Sequence, residues 1–331
     1  LTVDANRTGR IAVVGSFSGV PGDLYRIAGL TLTGGRSDFA GALWALSGSL
    51  TLDRVHLVDN ETTEFAGGAV EVADDASLAV IRSVIARNSA ASAGGGVSSR
   101  GDLIVERSAV YGNHAGIEGG GLWIDGTAIV GETTIYGNTS GGTGGGIEVF
   151  RTTADLTLYH LSVVGNSSAG AGAGIWLDTD SIPVFGGGNL FARNRSLDRN
   201  PGLGATSNCN RHLGLVDQGN LSSDDSCGFT GASDLQNTDP DLLPLLAAGG
   251  PTPSVVPAAG SPVIDAAGDV NCLALDQREF LRPVDGDGDG VTDCDIGATE
   301  YTPGPDDALV IFADGFESGD LSAWSISSRG G

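Results

Sequence analysis

The feature that most constrains the fold is a unit of 25 to 28 residues, repeated six times between positions 40 and 194. Each copy begins with small residues that lead into a short apolar stretch, and it ends on an asparagine. The first large apolar residues of the copies are Leu43, Val70, Val97, Leu122, Ile147 and Ile175. The closing residues are Asn60, Asn88, Asn113, Asn138, Asn166 and Asn194. Two markers with one shared period indicate a stack of units that cover one another's apolar faces.

Three short strands are predicted in each unit, because apolar residues alternate with polar ones between turns. In the fourth copy they are GGGLWIDG, TAIVGE and TTIYGN. The inward positions of the second strand are Leu52, Val80, Val105, Val130, Leu158 and Val184, and those of the third strand are Leu57, Ile85, Val110, Ile135, Val163 and Phe191. Stacked turns would place equivalent residues about 4.8 Å apart. The sequence therefore predicts an all-β fold, a right-handed single-stranded parallel β-helix with an aliphatic core.

A leucine-rich repeat is the alternative solenoid, since Leu52, Val55, Leu57 and Asn60 satisfy its L-x-x-L-x-L-x-x-N pattern. That fold needs a helix or comparable segment in the second half of each unit. This chain instead has glycine triplets and a further alternating strand, which are poor helix formers. The pattern favours the β-helix.

The repeated asparagines have two interpretations. Asn60, Asn138, Asn166 and Asn194 open N-x-S/T sequons, which accept glycans in secreted proteins. Asparagine also tolerates left-handed backbone and bonds to its own turn, so that a stacked column forms a hydrogen-bonded ladder. The fixed phase of the column favours the ladder.

The charge balance restricts the partners. Acidic residues outnumber basic ones 41 to 17, lysine is absent, and the net charge is -24. This charge opposes binding to nucleic acid and to anionic lipid surfaces, and it favours cations. We expect no membrane-spanning helix, because no sufficiently long apolar run occurs. Methionine is absent as well, so we expect a processed or trimmed chain. We expect the protein to be exported to the extracellular space or the cell surface.

The four cysteines are Cys209, Cys227, Cys272 and Cys294, all beyond the repeats. Three pairings are possible in principle. We favour Cys209 with Cys227 and Cys272 with Cys294, which close two loops of modest length. No histidine lies near them at zinc-ligand spacing, so disulfides and an oxidising compartment are expected.

The stretch from position 285 to 293 matches a calcium loop with its turn glycine at Gly290. Its twelfth position is Ile296 instead of glutamate, so Asp295 or Glu300 would have to supply the missing carboxylate. No helix signals flank the loop as they would in an EF-hand. The predicted ligands of a structural calcium ion are Asp285, Asp287, Asp289, the carbonyl of Val291, Asp293 and Asp295.

Two resemblances follow from these motifs. FAGGAV, AVYGN and LFARN resemble the repeats of polymorphic outer-membrane and other bacterial surface β-helix proteins. The later segments AGSPVIDAAG and DQREFLRPVDGDGDGVTDCDIGATEY are similar to bacterial "choice-of-anchor Q" proteins. The resemblance implies a secreted right-handed β-helix with a variable C-terminal sorting segment and no known catalytic activity. We divide the chain into repeats (1–195), irregular final coils and a cap (196–302) and a C-terminal tail (303–331).

An enzyme acting on polysaccharides is the alternative function, because neighbouring turns could hold a pair of carboxylates. The candidates by position are Asp53, Glu106, Glu132 and Asp155, but they are scattered along the sequence. The sequence also does not group the four histidines into a catalytic arrangement; they are His56, His114, His160 and His212. We therefore expect a non-catalytic structural or adhesive protein. Its first strand and the ALVIF strand of the tail could join copies head to tail into a filament, or the molecule could stand singly and bind a surface glycan or host ligand.

Overall fold

The computed structural model describes residues 1–15, 23–150, 155–179, 184–197, 207–215, 218–268 and 272–303, which form strands and no helix. The strands pair in parallel from one turn to the next and form four sheets of ten, seven, seven and seven strands. The predicted parallel β-helix is confirmed. Within the described ranges, no helix is long and apolar enough to cross a membrane.

The three predicted strands of each turn form sheets 1, 2 and 3. Sheet 1 contains β2 (Ala12–Val14), β6 (Leu43–Ala45), β10 (Val70–Val72), β14 (Val97–Ser99), β18 (Leu122–Ile124), β22 (Ile147–Val149) and β26 (Ile175–Leu177). Sheet 2 contains β3 (Leu24–Ala28), β7 (Gly48–Asp53), β11 (Ala76–Ile81), β15 (Asp102–Glu106), β19 (Ala128–Gly131), β23 (Leu156–Tyr159) and β27 (Val184–Phe185). Sheet 3 contains β1 (Thr2–Asp4), β4 (Thr31–Thr33), β8 (His56–Val58), β12 (Val84–Ala86), β16 (Ala109–Tyr111), β20 (Thr134–Tyr136), β24 (Ser162–Val164), β28 (Leu190–Ala192), β30 (Leu221–Ser222) and β31 (Leu235–Gln236).

A fourth strand per turn was not expected from the sequence. Sheet 4 contains β5 (Arg36–Ser37), β9 (Glu61–Thr62), β13 (Ser89–Ala90), β17 (His114–Ala115), β21 (Thr139–Ser140), β25 (Ser167–Ser168) and β29 (Arg195–Ser196). Each of these strands follows the closing asparagine or its equivalent and has two residues. Two residues cannot show an alternating pattern, so this sheet leaves no signal in the hydrophobic periodicity.

The core is a continuous aliphatic column inside the four sheets. The inward residues predicted for the first three strands of the six repeats are all buried in it, among them Leu43, Leu52, Leu57 and Ile135. Register pairs equivalent residues directly, as in Val80 with Val105 and Val105 with Val130. An apolar side chain therefore stacks on an apolar side chain from turn to turn.

The asparagine ladder is present. Oδ1 of Asn113 accepts hydrogen bonds from the main-chain N–H and from Nδ2 of Asn88, both at 3.0 Å. The same pair of bonds joins Asn113 to Asn138 and Asn138 to Asn166. All six asparagines are buried. Because a glycan cannot be attached to a buried side chain in the folded protein, the ladder interpretation is confirmed.

The C-terminal end of the core is closed by residues 207–215 and 218–230. Cys209, Leu213, Cys227 and Phe229 are buried against the last turn, and the ring of Phe229 lies 6.1 Å from that of Phe191. Both predicted disulfides are formed, Cys209 with Cys227 and Cys272 with Cys294. Only the first of them belongs to this end cap.

Residues 239–268 and 272–303, which we call the strap, do not lie at the end of the solenoid as the sequence suggested. They fold back along its side and cover the outer face of sheet 3. Leu242, Val255, Val263 and Ile296 of the strap pack with Val164, Leu190 and Leu221 in a second apolar cluster. The N–H of Gly297 donates to the carbonyl of Gly188, and that of Ala298 donates to Oγ of Ser162. The sequence-based expectation failed because short proline-bounded apolar pieces do not reveal which surface they cover. The tail from residue 304 onwards, including ALVIF, lies outside the described residues.

Candidate functional site

The aspartate-rich loop lies on the exposed side of the strap. Oδ1 of Asp285 accepts a hydrogen bond from the N–H of Gly288 at 2.7 Å, and Oδ2 accepts one from Gly290 at 3.0 Å. Asp287 and Asp289 each accept the N–H two residues later, at 2.9 and 2.7 Å. Gly288 and Gly290 have φ values of 81° and 91°, a region that glycine adopts without a steric cost. The chain thus curls tightly around its own carboxylates.

Three carboxylates converge at this loop, and one of them was not predicted. Asp265, Asp285 and Asp287 each offer an oxygen, and these atoms lie within 4.8 Å of one another. Oδ2 of Asp265 accepts the N–H groups of Gly286 and Asp287 at 2.9 and 2.8 Å. Burial, reinforced by the charge of Asp287, raises the pKa of Asp265. No pattern in AGSPVIDAAG indicates that Asp265 faces a loop 20 residues further on.

The other predicted ligands are not brought into this group. Asp289, Val291 and Asp293 lie in the loop but outside the three converging carboxylates. Asp295 is fully buried and turned away: Oδ1 accepts the N–H of Asp265 at 2.8 Å, and Oδ2 accepts that of Tyr301. Glu300, the alternative, accepts the N–H of Val284 at 2.8 Å. Asp295 therefore orients the segment that carries Asp265 instead of pointing at the metal position.

The donor set fits a hard cation. Calcium takes six to eight oxygen ligands from carboxylates, carbonyls and water. Asp265, Asp285 and Asp287 supply carboxylate oxygens of this kind, and the surrounding loop carries further carboxylates and carbonyls. Sulfur and imidazole ligands, which softer metals prefer, are absent from these three residues. The residues present would hold calcium at a loop that belongs to the strap.

A second cluster lies where the strap meets the solenoid. At the corner between sheets 2 and 3, each turn has one residue with positive φ, and together they form the corner column: Arg54, Arg82, Arg107, Glu132 and His160. Glu279 of the strap lies 3.3 Å from Arg82 and 3.6 Å from Arg54. The strap's Arg282 lies 3.9 Å from Glu132, and Nδ1 of His160 lies 3.2 Å from the carbonyl of Asp295. The acidic Glu279 of the strap thus faces two arginines of the corner column, and the basic Arg282 of the strap faces its glutamate.

Buried ionisable groups surround Arg282. Its guanidinium is fully buried and donates to Oε2 of Glu300 at 3.0 Å and to the carbonyl of Asp295 at 2.9 Å. Burial raises the pKa of Glu132 to about 7, against the opposing effect of Arg282 and Arg107. Burial also raises the pKa values of Asp295 and Glu300, and the charge of Glu300 adds to the shift of Asp295. Three buried acids with raised pKa values thus lie around the buried guanidinium of Arg282.

Sheet 1 carries an aromatic and acidic column on its outer face. Register places Trp44, Glu71, Ser98, Trp123, Glu148 and Trp176 at the same position of successive strands. Glu71 forms an ion pair with Arg100 at 2.6 Å. Burial raises the pKa of Glu148 to about 9, and the nearby Glu118 and Asp178 add to the shift. The four central side chains of this column are buried, so the column is a filled layer and not an open cleft.

The four carboxylates considered for glycan hydrolysis do not form an open pair. Asp53 is held by Arg26 and Arg82 at 2.6 and 2.7 Å. Glu106 accepts the hydroxyl of Tyr159 at 2.6 Å. Glu132 is buried beneath the strap, whereas Asp155 is exposed at the other margin of sheet 2. Asp53 and Glu106 are thus engaged by neighbouring side chains, and Glu132 is buried.

No protein-family model, curated protein or solved structure matches this chain. The resemblance to bacterial surface β-helix proteins remains a prediction from the sequence motifs.

Proposed function

We propose that this protein is a non-catalytic extracellular β-solenoid that serves as a structural or adhesive element of a cell surface. The observation that supports this function best is the distribution of covered and open faces. The strap covers sheet 3, and the turns that carry the repeated glycines cover the central outer residues of sheet 1. The outer faces of sheets 2 and 4 remain partly exposed, and that of sheet 2 is the more apolar of the two.

Sheet 2 has the chemistry of a contact surface. Ala79, Ile104, Ile129 and Thr157 follow one another in register along its centre and are partly exposed, and Phe185 near its end is 46% exposed. Asp102 and Asp155 lie exposed along one margin. An apolar centre with a polar rim is the usual composition of a surface that binds another molecule.

Two further features support an extracellular role. Disulfides persist in oxidising compartments, and this chain has one at the end cap and one in the strap. Extracellular calcium is abundant enough to occupy sites of modest affinity. We propose that calcium binds at Asp265, Asp285 and Asp287 and stabilises the strap.

Assembly into filaments is a second candidate, supported by the first turn. Strands β1, β2 and β3 lie at the edges of their sheets in the described structure. Leu1, Val3, Val13 and Leu24 are exposed apolar side chains there. An edge of this kind accepts a strand from another molecule through main-chain hydrogen bonds.

Negative-stain microscopy with and without a calcium chelator tests the filament. Fibres of uniform width would support assembly, and their loss on chelation would place calcium at the joint. Single rods under every condition would exclude assembly and leave the adhesive role.

Binding to panels of surface polysaccharides and host glycans tests the adhesive role. We expect a variant with Ile104→Glu and Ile129→Glu to lose binding, because two charges interrupt the apolar centre of sheet 2. The matched control is Thr139→Glu with Ser167→Glu, which adds the same charges on adjacent strands of sheet 4. Equal binding by both variants would exclude sheet 2 as the contact surface.

A further inference from the structure

The strap is held by contacts of two electrostatic kinds. Near its tip, Glu279 pairs with Arg82 and Arg54 on the surface, where all three side chains are a quarter to a half exposed. Deeper in the interface, Glu132 lies between Arg282 of the strap and Arg107 of its own sheet corner. Glu132 is the one acid of the corner column, and it lies where the strap presents an arginine.

Glu132 is poorly solvated by its neighbours. Its side chain is 2% exposed, and both arginines stay at 3.8 and 3.9 Å, beyond hydrogen-bonding distance. Oε1 of Glu132, Nε of Arg107 and Nη1 of Arg282 make no hydrogen bond to any described residue. A buried carboxylate that receives no hydrogen bond is destabilised relative to the neutral acid.

The other groups near Glu132 strengthen this preference. The charges of Asp276 in the strap and of Glu106 on sheet 2 disfavour a further negative charge. Tyr159 is close enough to interact but donates its hydroxyl to Glu106. His160, the next residue of the corner column, is turned to the carbonyl of Asp295. The two arginines are thus opposed by two acids and by burial.

We propose that the strap is a pH-responsive clamp, closed over sheet 3 while Glu132 is protonated and easier to open after Glu132 ionises. When the strap lifts, Glu132 loses the cover of Arg282 and meets water, which stabilises the carboxylate. Opening also exposes the apolar outer face of sheet 3, formed by Val164, Leu190 and Leu221. The clamp therefore couples pH to the exposure of an apolar surface.

The direction of the effect follows from proton linkage. In the closed form the pKa of Glu132 is raised from 4.5 to about 7. Between these values the open form is ionised and the closed form is protonated, so opening releases a proton. The closed strap is favoured fully below the lower value, and this advantage is lost as the pH rises through about 7.

Hydrogen exchange at two amides reports opening directly. The N–H groups of Gly297 and Ala298 donate from the strap to the solenoid, and they exchange only when these contacts break. After correction for the intrinsic exchange rate, we expect their opening constant to rise by up to about tenfold per pH unit between pH 5 and pH 7. In Glu132→Gln, which cannot ionise, this rise should be clearly smaller. The residual slope would come from Asp295 and Glu300.

The control is Glu279→Gln, which removes a surface contact of the same strap. It should increase opening at every pH without changing the pH slope. An equal slope in the wild type and in Glu132→Gln would overturn the proposal. If Glu132→Gln does not fold, a ¹³C NMR titration of the Glu132 carboxyl in the wild-type protein decides: a midpoint near 7 supports the clamp, and one near 4.5 overturns it.

Discussion

Asn113 and Asn138 lie one turn apart, and Oδ1 of Asn138 accepts two hydrogen bonds from Asn113, from Nδ2 at 2.9 Å and from the main-chain N–H at 3.0 Å. Nδ2 of Asn113 also donates to the carbonyl of Ile85 at 2.9 Å. Each buried asparagine therefore satisfies polar groups of the main chain that the turn would otherwise leave without partners.

Replacing Asn113 by alanine should destabilise the solenoid strongly. The change removes the acceptor of the Asn88 main-chain N–H and the donor to the carbonyl of Ile85. Buried polar groups without partners cost about 1 to 3 kcal/mol each, so we expect the two orphaned groups to lower the free energy of unfolding by about 2 to 6 kcal/mol. Urea denaturation followed by circular dichroism measures it.

Ser167→Ala is the control for this substitution, since Ser167 lies in sheet 4 with its side chain partly exposed. Its free energy of unfolding should change by less than about 0.5 kcal/mol. Equal effects of the two substitutions would contradict a structural role for the ladder.

The ladder, the core and both disulfides could be predicted because each repeats or pairs within the sequence. Leu57, Ile85 and Val110 recur at one phase, and a recurring phase defines a stacked position. The strap could not be predicted, because Gln277 contacts Thr134 across 143 positions without any periodic signal. Asp265 was missed for the same reason, whereas Asp285 and Asp287 were found because their spacing is a local pattern.

Gly131 makes room for the ring of Tyr159 on the outer face of sheet 2. A Cβ atom at position 131 would lie 2.0 Å from Cζ of that ring. Gly131→Ala should therefore displace the ring and break the 2.6 Å hydrogen bond from Tyr159 to Glu106. We expect a loss of about 1 to 3 kcal/mol in the free energy of unfolding.

The matched control for Gly131 is Gly9→Ala, where an added Cβ meets no atom within 4 Å. Thermal denaturation of both variants tests the assignment. In a Tyr159→Phe background, the cost of Gly131→Ala should fall, because the hydrogen bond is already lost. An unchanged cost there would show that the alanine acts through another contact.

Glu148 should make the protein less stable as the pH rises. Burial raises its pKa from 4.5 to about 9. Between these values the unfolded chain is ionised and the folded chain is protonated, so stability is greatest below the lower value and falls as the pH rises through about 9. The contribution of this group is at most about 1.4 kcal/mol per pH unit. Glu148→Gln should remove that part of the slope, as measured by urea denaturation at several pH values.

Glu71 provides the comparison on the same face of sheet 1. It is also buried, but Arg100 lies 2.6 Å from its carboxylate and limits the rise of its pKa to about 7. The loss of stability that Glu71 causes as the pH rises should therefore end near pH 7, whereas the loss that Glu148 causes continues to about pH 9. Between pH 7 and pH 9, Glu148→Gln should flatten the dependence of stability on pH, and Glu71→Gln should leave it unchanged. An equal change of slope between pH 7 and pH 9 in the two variants would show that the arginine is not the cause of the difference.

Calcium should raise the melting temperature, because a ligand that binds only the folded state stabilises it by mass action.

The loop pattern alone would assign equal importance to Asp285 and Asp293. The structure instead groups Asp285 and Asp287 with Asp265. We therefore expect Asp265→Asn to reduce the calcium-dependent rise more than Asp293→Asn, with the exposed Asp102→Asn leaving it unchanged. Isothermal titration with calcium chloride gives the affinities directly. A larger loss for Asp293→Asn than for Asp265→Asn would favour the linear loop over the convergent site, because Asp265 would then act only through its hydrogen bonds to Gly286 and Asp287.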